Sequence, residues 1–194
     1  MRITARWTIV TEMSDLRHLR FGRDRGPAAA SIGAELLHLY AEVYAEPPYL
    51  EGPEHTARFA EHLHGLWTAE GFELVRATTP AGELVGVAYG FTMSTGEWFP
   101  HSSPAPPDIL GRPHFTTMEW MTRRPWRRQG IGRRLLAGLL SDRLEPWAVV
   151  MANPAAVAHG IYLEHGWRRV GTSAPPMFPE MDVLARVLSQ RDPD

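Results

Sequence analysis

A β-like run, a glycine-bearing turn and an amphipathic helix follow one another between Phe115 and Arg143, and a second strand signal, Trp147–Ala152, comes directly after. Two parallel strands of one sheet need a crossover of this kind, nearly always right-handed, so the segment commits the chain to a sheet containing a βαβ unit. The turn itself reads Arg127-Arg128-Gln129-Gly130-Ile131-Gly132 and leads into Arg133, Arg134 and Leu135. The first turn of a helix carries unpaired N–H groups and the positive end of the dipole, so an anion is stabilised there. Gly130 and Gly132 lack the side chains that would hold a phosphate off the backbone, neighbouring guanidiniums add charge, and Ile131, Leu135 and Leu139 recur at the spacing that anchors a helix to a sheet. The expectation is a pyrophosphate cradle. It is not the dinucleotide fingerprint, because Leu135 stands where Gly-x-Gly-x-x-Gly has its third glycine. An exposed, Arg-rich helix start with two incidental glycines is the competing reading.

Composition removes whole classes of chemistry. All 20 basic residues are arginine and cysteine is absent. No disulfide framework, thiol nucleophile or Cys-ligated zinc is available, nor a Schiff-base lysine or a P-loop, whose phosphate contact needs Gly-Lys. The net charge of −2 supplies no bulk attraction to nucleic acid or anionic lipid, so charge arguments are local. No apolar run approaches the roughly 20 residues of a membrane helix and the N-terminus lacks a signal-peptide core, so a cytoplasmic protein without membrane partners is expected. At 194 residues one domain is expected: an N-terminal strand and mobile connection over 1–30, then the main domain over 31–194.

Along the chain, Trp7–Val10 reads as a short strand and the Arg-, Gly- and Pro-rich stretch 17–30 as the mobile connection. Ile32, Leu36, Leu39 and Val43 recur at helical spacing, with Ser31 as N-cap and Pro47-Pro48 as stop. Pro53 opens a second helix carrying Phe59, Leu63, Leu66 and Trp67 and ending before Gly71. Phe72–Thr78 and Glu83–Met93 form a hairpin across Pro80-Ala81-Gly82. The Pro-rich stretch 94–113 is a long loop of the kind that is usually functional or disordered. Strand Phe115–Thr122, helix Gly130–Arg143, strand Trp147–Ala152, helix Ala155–His165 and strands Trp167–Thr172 and Met181–Val187 complete a mixed α/β sheet.

The cradle pattern, preceded by a strand and followed by a helix, resembles the acetyl-CoA motif Arg-x-x-Gly-x-Gly/Ala of the GNAT N-acetyltransferase superfamily, with Arg127, Gly130 and Gly132 at its fixed positions. Ala158-x-x-x-Tyr162-x-x-x-Gly166-Trp167 resembles a second family pattern, with Trp in place of Phe. The likeness spans Phe72 to Val187. It implies a single α/β (α+β) domain whose mixed central sheet, flanked by helices, splays at its two central parallel strands, with acetyl-CoA as co-substrate in the opening and no metal. The pantetheine arm would pair with the main chain at Met121 and Thr122, as an added strand does. The pyrophosphate would sit at Arg127, Arg128, Gln129, Gly130, Ile131, Gly132 and Arg133. The family commonly has Asn three residues before the motif alanine; this chain has Ala155 there, and Asn153 is the nearest substitute.

The same resemblance implies transfer of an acetyl group to a primary amine of a small molecule or peptide. With no Cys to carry a thioester, transfer is direct, in a ternary complex. Tyr162 is the candidate acid, since a phenol with a reference pKa of about 10 lies close to the departing thiol; a ring satisfied in the core is the alternative. Glu119, the one acid in its strand, is the candidate base. Alternation puts it on one face with Thr117 and Met121, where desolvation would raise its pKa; pairing with one of the nearby arginines is the alternative. Tyr49 and Trp98 are the acceptor-pocket candidates. Eight Glu between Glu35 and Glu73 face one Arg, which predicts long-range steering of a cationic amine. His62 and His64 lack metal-ligand spacing. A homodimer is the oligomeric expectation. Two other classes remain: a non-catalytic acyl-CoA-binding module of the same fold, and an Arg-rich nucleic-acid binder using Arg123–Arg128 with Trp126 stacked on a base.

Overall fold

The computed structural model of the chain describes residues 18–188, so the strand expected at Trp7–Val10 lies outside them. Seven strands form one sheet: β1 (Arg20–Arg25), β2 (Glu73–Thr78), β3 (Leu84–Met93), β4 (His114–Thr122), β5 (Trp147–Ala152), β6 (Arg168–Ser173) and β7 (Met181–Val187), in the order β1-β2-β3-β4-β5-β7-β6. Among the described residues only β4 and β5 run parallel; the other neighbours are antiparallel. The helices are α1 (Gly33–Tyr44), α2 (Pro53–Leu66), α3 (Pro107–Leu110), α4 (Ile131–Leu140) and α5 (Val157–Glu164). No helix among the described residues is long and apolar enough to cross a membrane.

Each face of the sheet has its own cover. α1 and α2 bury Leu36, Leu39, Tyr40, Phe59 and Leu63 against the β2–β4 side. On the opposite face α4 packs Ile131, Leu135 and Leu139 on Val75, Val85 and Phe115, while α5 places Tyr162 against β5 and β7. The stretch 94–113 is neither a pocket wall along its length nor disordered. Its Phe99 and Ile109 are buried with Val149, Val183 and Ala185, so much of it serves as a lid on the half of the sheet that α1 and α2 leave bare.

Two departures from the sequence reading have physical causes. Residues 20–30, expected as part of a mobile connection, lie in edge strand β1 and in a 3₁₀ helix, Gly26–Ile32. The strand was hidden by its charge: Asp24 pairs with Arg76 at 2.7 Å and Arg23 and Arg25 reach Glu73, the kind of charged edge that discourages a further strand from docking. Ser31 lies inside the 3₁₀ turn and bonds the Ala28 carbonyl, leaving Ile32 as the residue before α1.

The central feature is where the parallel ladder stops. β4 pairs with β5 at Phe115, Thr116 and Thr117, partnered by Ala148, Val149 and Val150, and no further. Beyond Thr117 the two strands part. On its other edge β4 carries a bulge: Gly90 of β3 lies opposite Thr117, and the next residue back, Tyr89, lies opposite Glu119, which leaves Met118 as the extra residue.

Candidate active site

The cradle occupies one end of this opening. Gly130 precedes α4 with φ of 80°, and Arg128 also has a positive φ of 62°. The first helical bond runs from the Arg134 N–H to the Gly130 carbonyl at 3.0 Å, so the amides from Arg128 to Arg133 stand outside the ladder. The fold itself requires the two glycines, for separate reasons. A Cβ on Gly130 would meet no neighbour, so its requirement is the left-handed backbone. A Cβ on Gly132 would lie 3.2 Å from the Trp120 indole, whose N–H donates to the Gly132 carbonyl at 2.8 Å; here glycine admits the aromatic ring. Ile131 is buried beneath. Arg127, although exposed, is engaged by protein groups: it donates to the Thr122 carbonyl at 2.9 Å and grips Glu46 with both terminal nitrogens, at 2.7 and 3.3 Å. Gln129 folds back on the Pro125 carbonyl. Arg128 and Arg133 are exposed and, among the described residues, have no carboxylate partner.

Glu119 lies on the other side of β4. Cross-strand partners share a face and neighbouring residues do not, so the bulge puts Glu119 with Tyr89 and leaves Thr117 on the opposite side, correcting the expected alternation. No arginine reaches Glu119 among the described residues. Its partner is Tyr44 of α1, whose hydroxyl donates to the carboxylate. Burial pushes the Glu119 carboxyl up to about 8, the Tyr44 bond pulls it partly back, and the charge of Glu51 pushes it up again. One turn earlier on α1, Tyr40 donates to Glu51 at 2.5 Å, and burial also raises the Glu51 carboxyl. Tyr49 stacks edge-on against Tyr44 at 4.7 Å; burial first, then the Glu119 and Glu51 charges, push its phenol up to about 12.

These groups line a cleft of about 230 Å³ at the splay. Tyr162 enters it from α5, its ring 5.2 Å from Trp120 and 4.9 Å from Trp167, and burial raises its phenol well above the ordinary value, so the hydroxyl keeps its proton. Asn153 is buried at the cleft and accepts the Ala155 amide at 2.9 Å, holding the turn into α5. Met121 buries its side chain in the α1/α2 core; the Thr122 carbonyl already receives Arg127. Trp120, the residue between Glu119 and Met121, lines both this cleft and a groove of about 640 Å³ that follows α4 on its α5 side and includes Arg133. Consecutive residues of β4 thus serve opposite mouths of one opening.

Trp98 is a correction. Its indole N–H donates to the Ser103 carbonyl at 3.1 Å and its ring packs on His114, whereas its neighbour Phe99 turns into the cleft, as alternate residues of an extended segment do. Sequence reasoning passed over Tyr40, the pairing of Glu51 and Tyr40, and His159, whose Nε2 meets Asp182 at 2.9 Å at the cleft wall. Helical spacing of Tyr40 and Tyr44 on one apolar face was the available signal. The glutamate run also resolves differently: Glu42 pairs with Arg123, Glu46 with Arg127 and Glu73 with Arg23, Arg25 and Arg143. Of that run only Glu51 lines the cleft. The same ion pairs engage Arg123 and Arg127, two of the arginines that a nucleic-acid surface would need.

No family model and no curated protein matches the chain by sequence. Solved structures do match its fold. An acetyltransferase of the GNAT family from Staphylococcus aureus superposes with a TM-score of 0.64 at 11% identity, over 88% of this chain and 99% of that one. The chain has the GNAT fold. Arylalkylamine N-acetyltransferase 2 from Aedes aegypti gives the same TM-score of 0.64 at 10% identity, over 88% of this chain and 99% of that chain. PaiA N-acetyltransferase from Thermoplasma acidophilum, solved in complex with coenzyme A, gives 0.56 at 8% identity, over 87% and 98%. The mixed sheet with β4 parallel to β5, flanked by helices, is what the chain shares with these structures.

Proposed function

We propose that the protein is an acetyl-CoA-dependent N-acetyltransferase acting on a primary amine, with the donor at the α4 cradle and the acceptor in the tyrosine-lined cleft. The observation that carries the reading is the opening between β4 and β5, with free amides on one side and a tyrosine-bonded carboxyl on the other. The residues fit the donor. Amides from Arg128 to Arg133, a left-handed Gly130 and the unpartnered Arg128 and Arg133 suit a pyrophosphate. The unladdered edge of β4 at Met121 suits an extended arm. Arg127 acts as a staple between β4 and the α1–α2 loop.

Acetyl-CoA, when bound, supplies an activated thioester. The chain's residues handle the protons. The ionised Glu119 carboxylate takes a proton from the amine nitrogen, directly or through one water, while the Tyr44 hydroxyl holds it in place. The N–C bond forms as the C–S bond breaks, with the Tyr162 hydroxyl donating a hydrogen bond to the leaving sulfur and solvent supplying the proton that neutralises the thiolate. Burial keeps the phenol protonated but lifts it well above the thiol, so the match expected from the reference value is lost and its role is that of hydrogen-bond donor. Selectivity for cations arises by contact with Glu119 and Glu51 in the cleft, since three members of the acidic run are neutralised by arginine.

The test is calorimetry with acetyl-CoA followed by assay of free CoA over a panel of primary amines. Acetyl-CoA binding that is lost in Gly130→Glu, which puts bulk and negative charge in the cradle, together with amine-dependent CoA release, is the expected result. Binding without release from any amine would favour the acyl-CoA-binding module, and no binding would remove both.

A further inference from the structure

The acceptor cleft contains two carboxylates where proton removal from one amine needs one. Glu119 and Glu51 both line it, and each accepts a hydrogen bond from a different tyrosine of the same helix face, Tyr44 and Tyr40. Among the described residues no arginine lines the cleft; His159, which does, is already paired with Asp182, and His55 lies close enough to Glu51 to act on its charge. A desolvated carboxylate such as Glu119 is stabilised when a counter-charge completes it, half-buried Glu51 presents a second anion in the same cleft, and a single ammonium can complete only one. The two phenols stand four residues apart on α1, one turn, so the carboxylates they bond are neighbours in the same cleft. The Tyr40 and Tyr44 rings, 4.6 Å between centroids, and the Tyr49 ring fill the space alongside. Aromatic faces attract cations and pack on methylenes.

Resting on the transferase reading above, we propose that the acceptor is a short α,ω-diamine, bound with its reacting nitrogen at Glu119 and its second ammonium at Glu51. Neighbouring carboxylates call for a short chain, and four carbons, whose five bonds of about 1.5 Å put the nitrogens about 6 Å apart when zigzag-extended, is the length to test first. Glu51 is then a specificity-determining residue that touches the end of the acceptor remote from the chemistry.

The test is titration calorimetry of butane-1,4-diamine against butylamine, with and without CoA, in the wild-type protein and in Glu51→Gln. In the wild type the diamine should bind at least 10-fold more tightly, and the advantage should fall for ethane-1,2-diamine and octane-1,8-diamine. In Glu51→Gln the diamine-to-monoamine ratio should drop towards one; a merely structural role for Glu51 would weaken both amines in proportion and leave the ratio standing. Tyr40→Phe, which frees Glu51 without removing its charge, should lower the ratio by a smaller factor. Equal affinities in the wild type, an advantage indifferent to chain length, no binding of either amine, or a ratio preserved in Glu51→Gln would each overturn the proposal. Acetyl-CoA added to the same samples separates the two readings. Selective diamine binding with no CoA release would uphold the two-carboxylate site and reject acetyl transfer.

Discussion

Glu73 and Glu119 are both glutamates on strands of the same sheet, and their surroundings are opposites. Glu73, 5% exposed on β2, is ringed by guanidiniums: Arg23 at 3.2 Å, Arg25 at 2.9 Å and Arg143 at 3.3 Å. Arg143 also pairs with Glu145 and lies over the Phe115 ring at 3.7 Å, so the cluster ties β1, β2 and the end of α4 together. Glu119, on β4, has tyrosines where Glu73 has arginines. A phenol can donate one hydrogen bond but supplies no charge, and burial therefore lifts the Glu119 carboxyl into the range where it can exchange protons near neutrality. One carboxylate joins elements through arginines, and the other lies at an opening with tyrosines as its partners. Chemistry resides in the environment, and residue type alone does not distinguish the two.

The comparison breaks most visibly by substitution. Glu119→Gln should lower kcat/KM for amine acetylation by about 10²- to 10⁴-fold, the usual range for a lost general base, while acetyl-CoA affinity holds. Its stability should move the other way with pH. The folded pKa of about 8 lies above the ordinary value of 4.5. Between those two pH values the folded protein keeps a proton that the unfolded chain has released, so wild-type stability declines as pH rises through that window. The variant does not titrate, and its Tm relative to wild type should climb from pH 4 to pH 9.

Glu73→Ala should do the reverse. Removing one partner of a buried ion cluster costs about 3–5 kcal/mol, and at about 2–4 °C per kcal/mol for a chain of this size the melting temperature should fall by roughly 6–20 °C. Its KM values should stay near wild type below the transition. A smaller effect separates the tyrosines: Tyr44→Phe removes the hydrogen bond that holds the Glu119 pKa down. The carboxyl should then titrate higher, with kcat/KM at pH 7 reduced several-fold and recovered at higher pH. A loss that pH fails to recover would make Tyr44 a packing residue. Smallest of all should be salt. Contact selectivity within the cleft should keep most of its preference for cationic over anionic amines at high ionic strength, whereas steering by exposed charges fades beyond a Debye length of about 8 Å at physiological salt.

Local pattern carried much of this. The βαβ order is consecutive in the chain and periodicity reports it, whereas the motif around Tyr162 was legible through its resemblance to the family pattern. Edge strand β1 was not legible, because its charges read as a solvated connection until Glu73 and Arg76 are brought beside them. The face of Glu119 was misassigned relative to Thr117, since a bulge shows in pairing and not in composition. Gly132 was visible as a glycine but its reason, the Trp120 ring, comes from another strand. Trp98 and Phe99 were one residue apart, and only tertiary packing decides which of two adjacent aromatics turns inward.

The most direct test of the central claim is the pH dependence of kcat/KM for acetylation of an alkylamine whose own pKa lies near 10, well clear of Glu119. The wild-type rate should rise with pH along a limb centred near 8, as the Glu119 carboxyl ionises, and in Glu119→Gln the residual rate should lack that limb. A limb near 8 that persists in Glu119→Gln, or a wild-type profile flat from pH 6 to 9, would contradict the assignment of Glu119 as the proton acceptor.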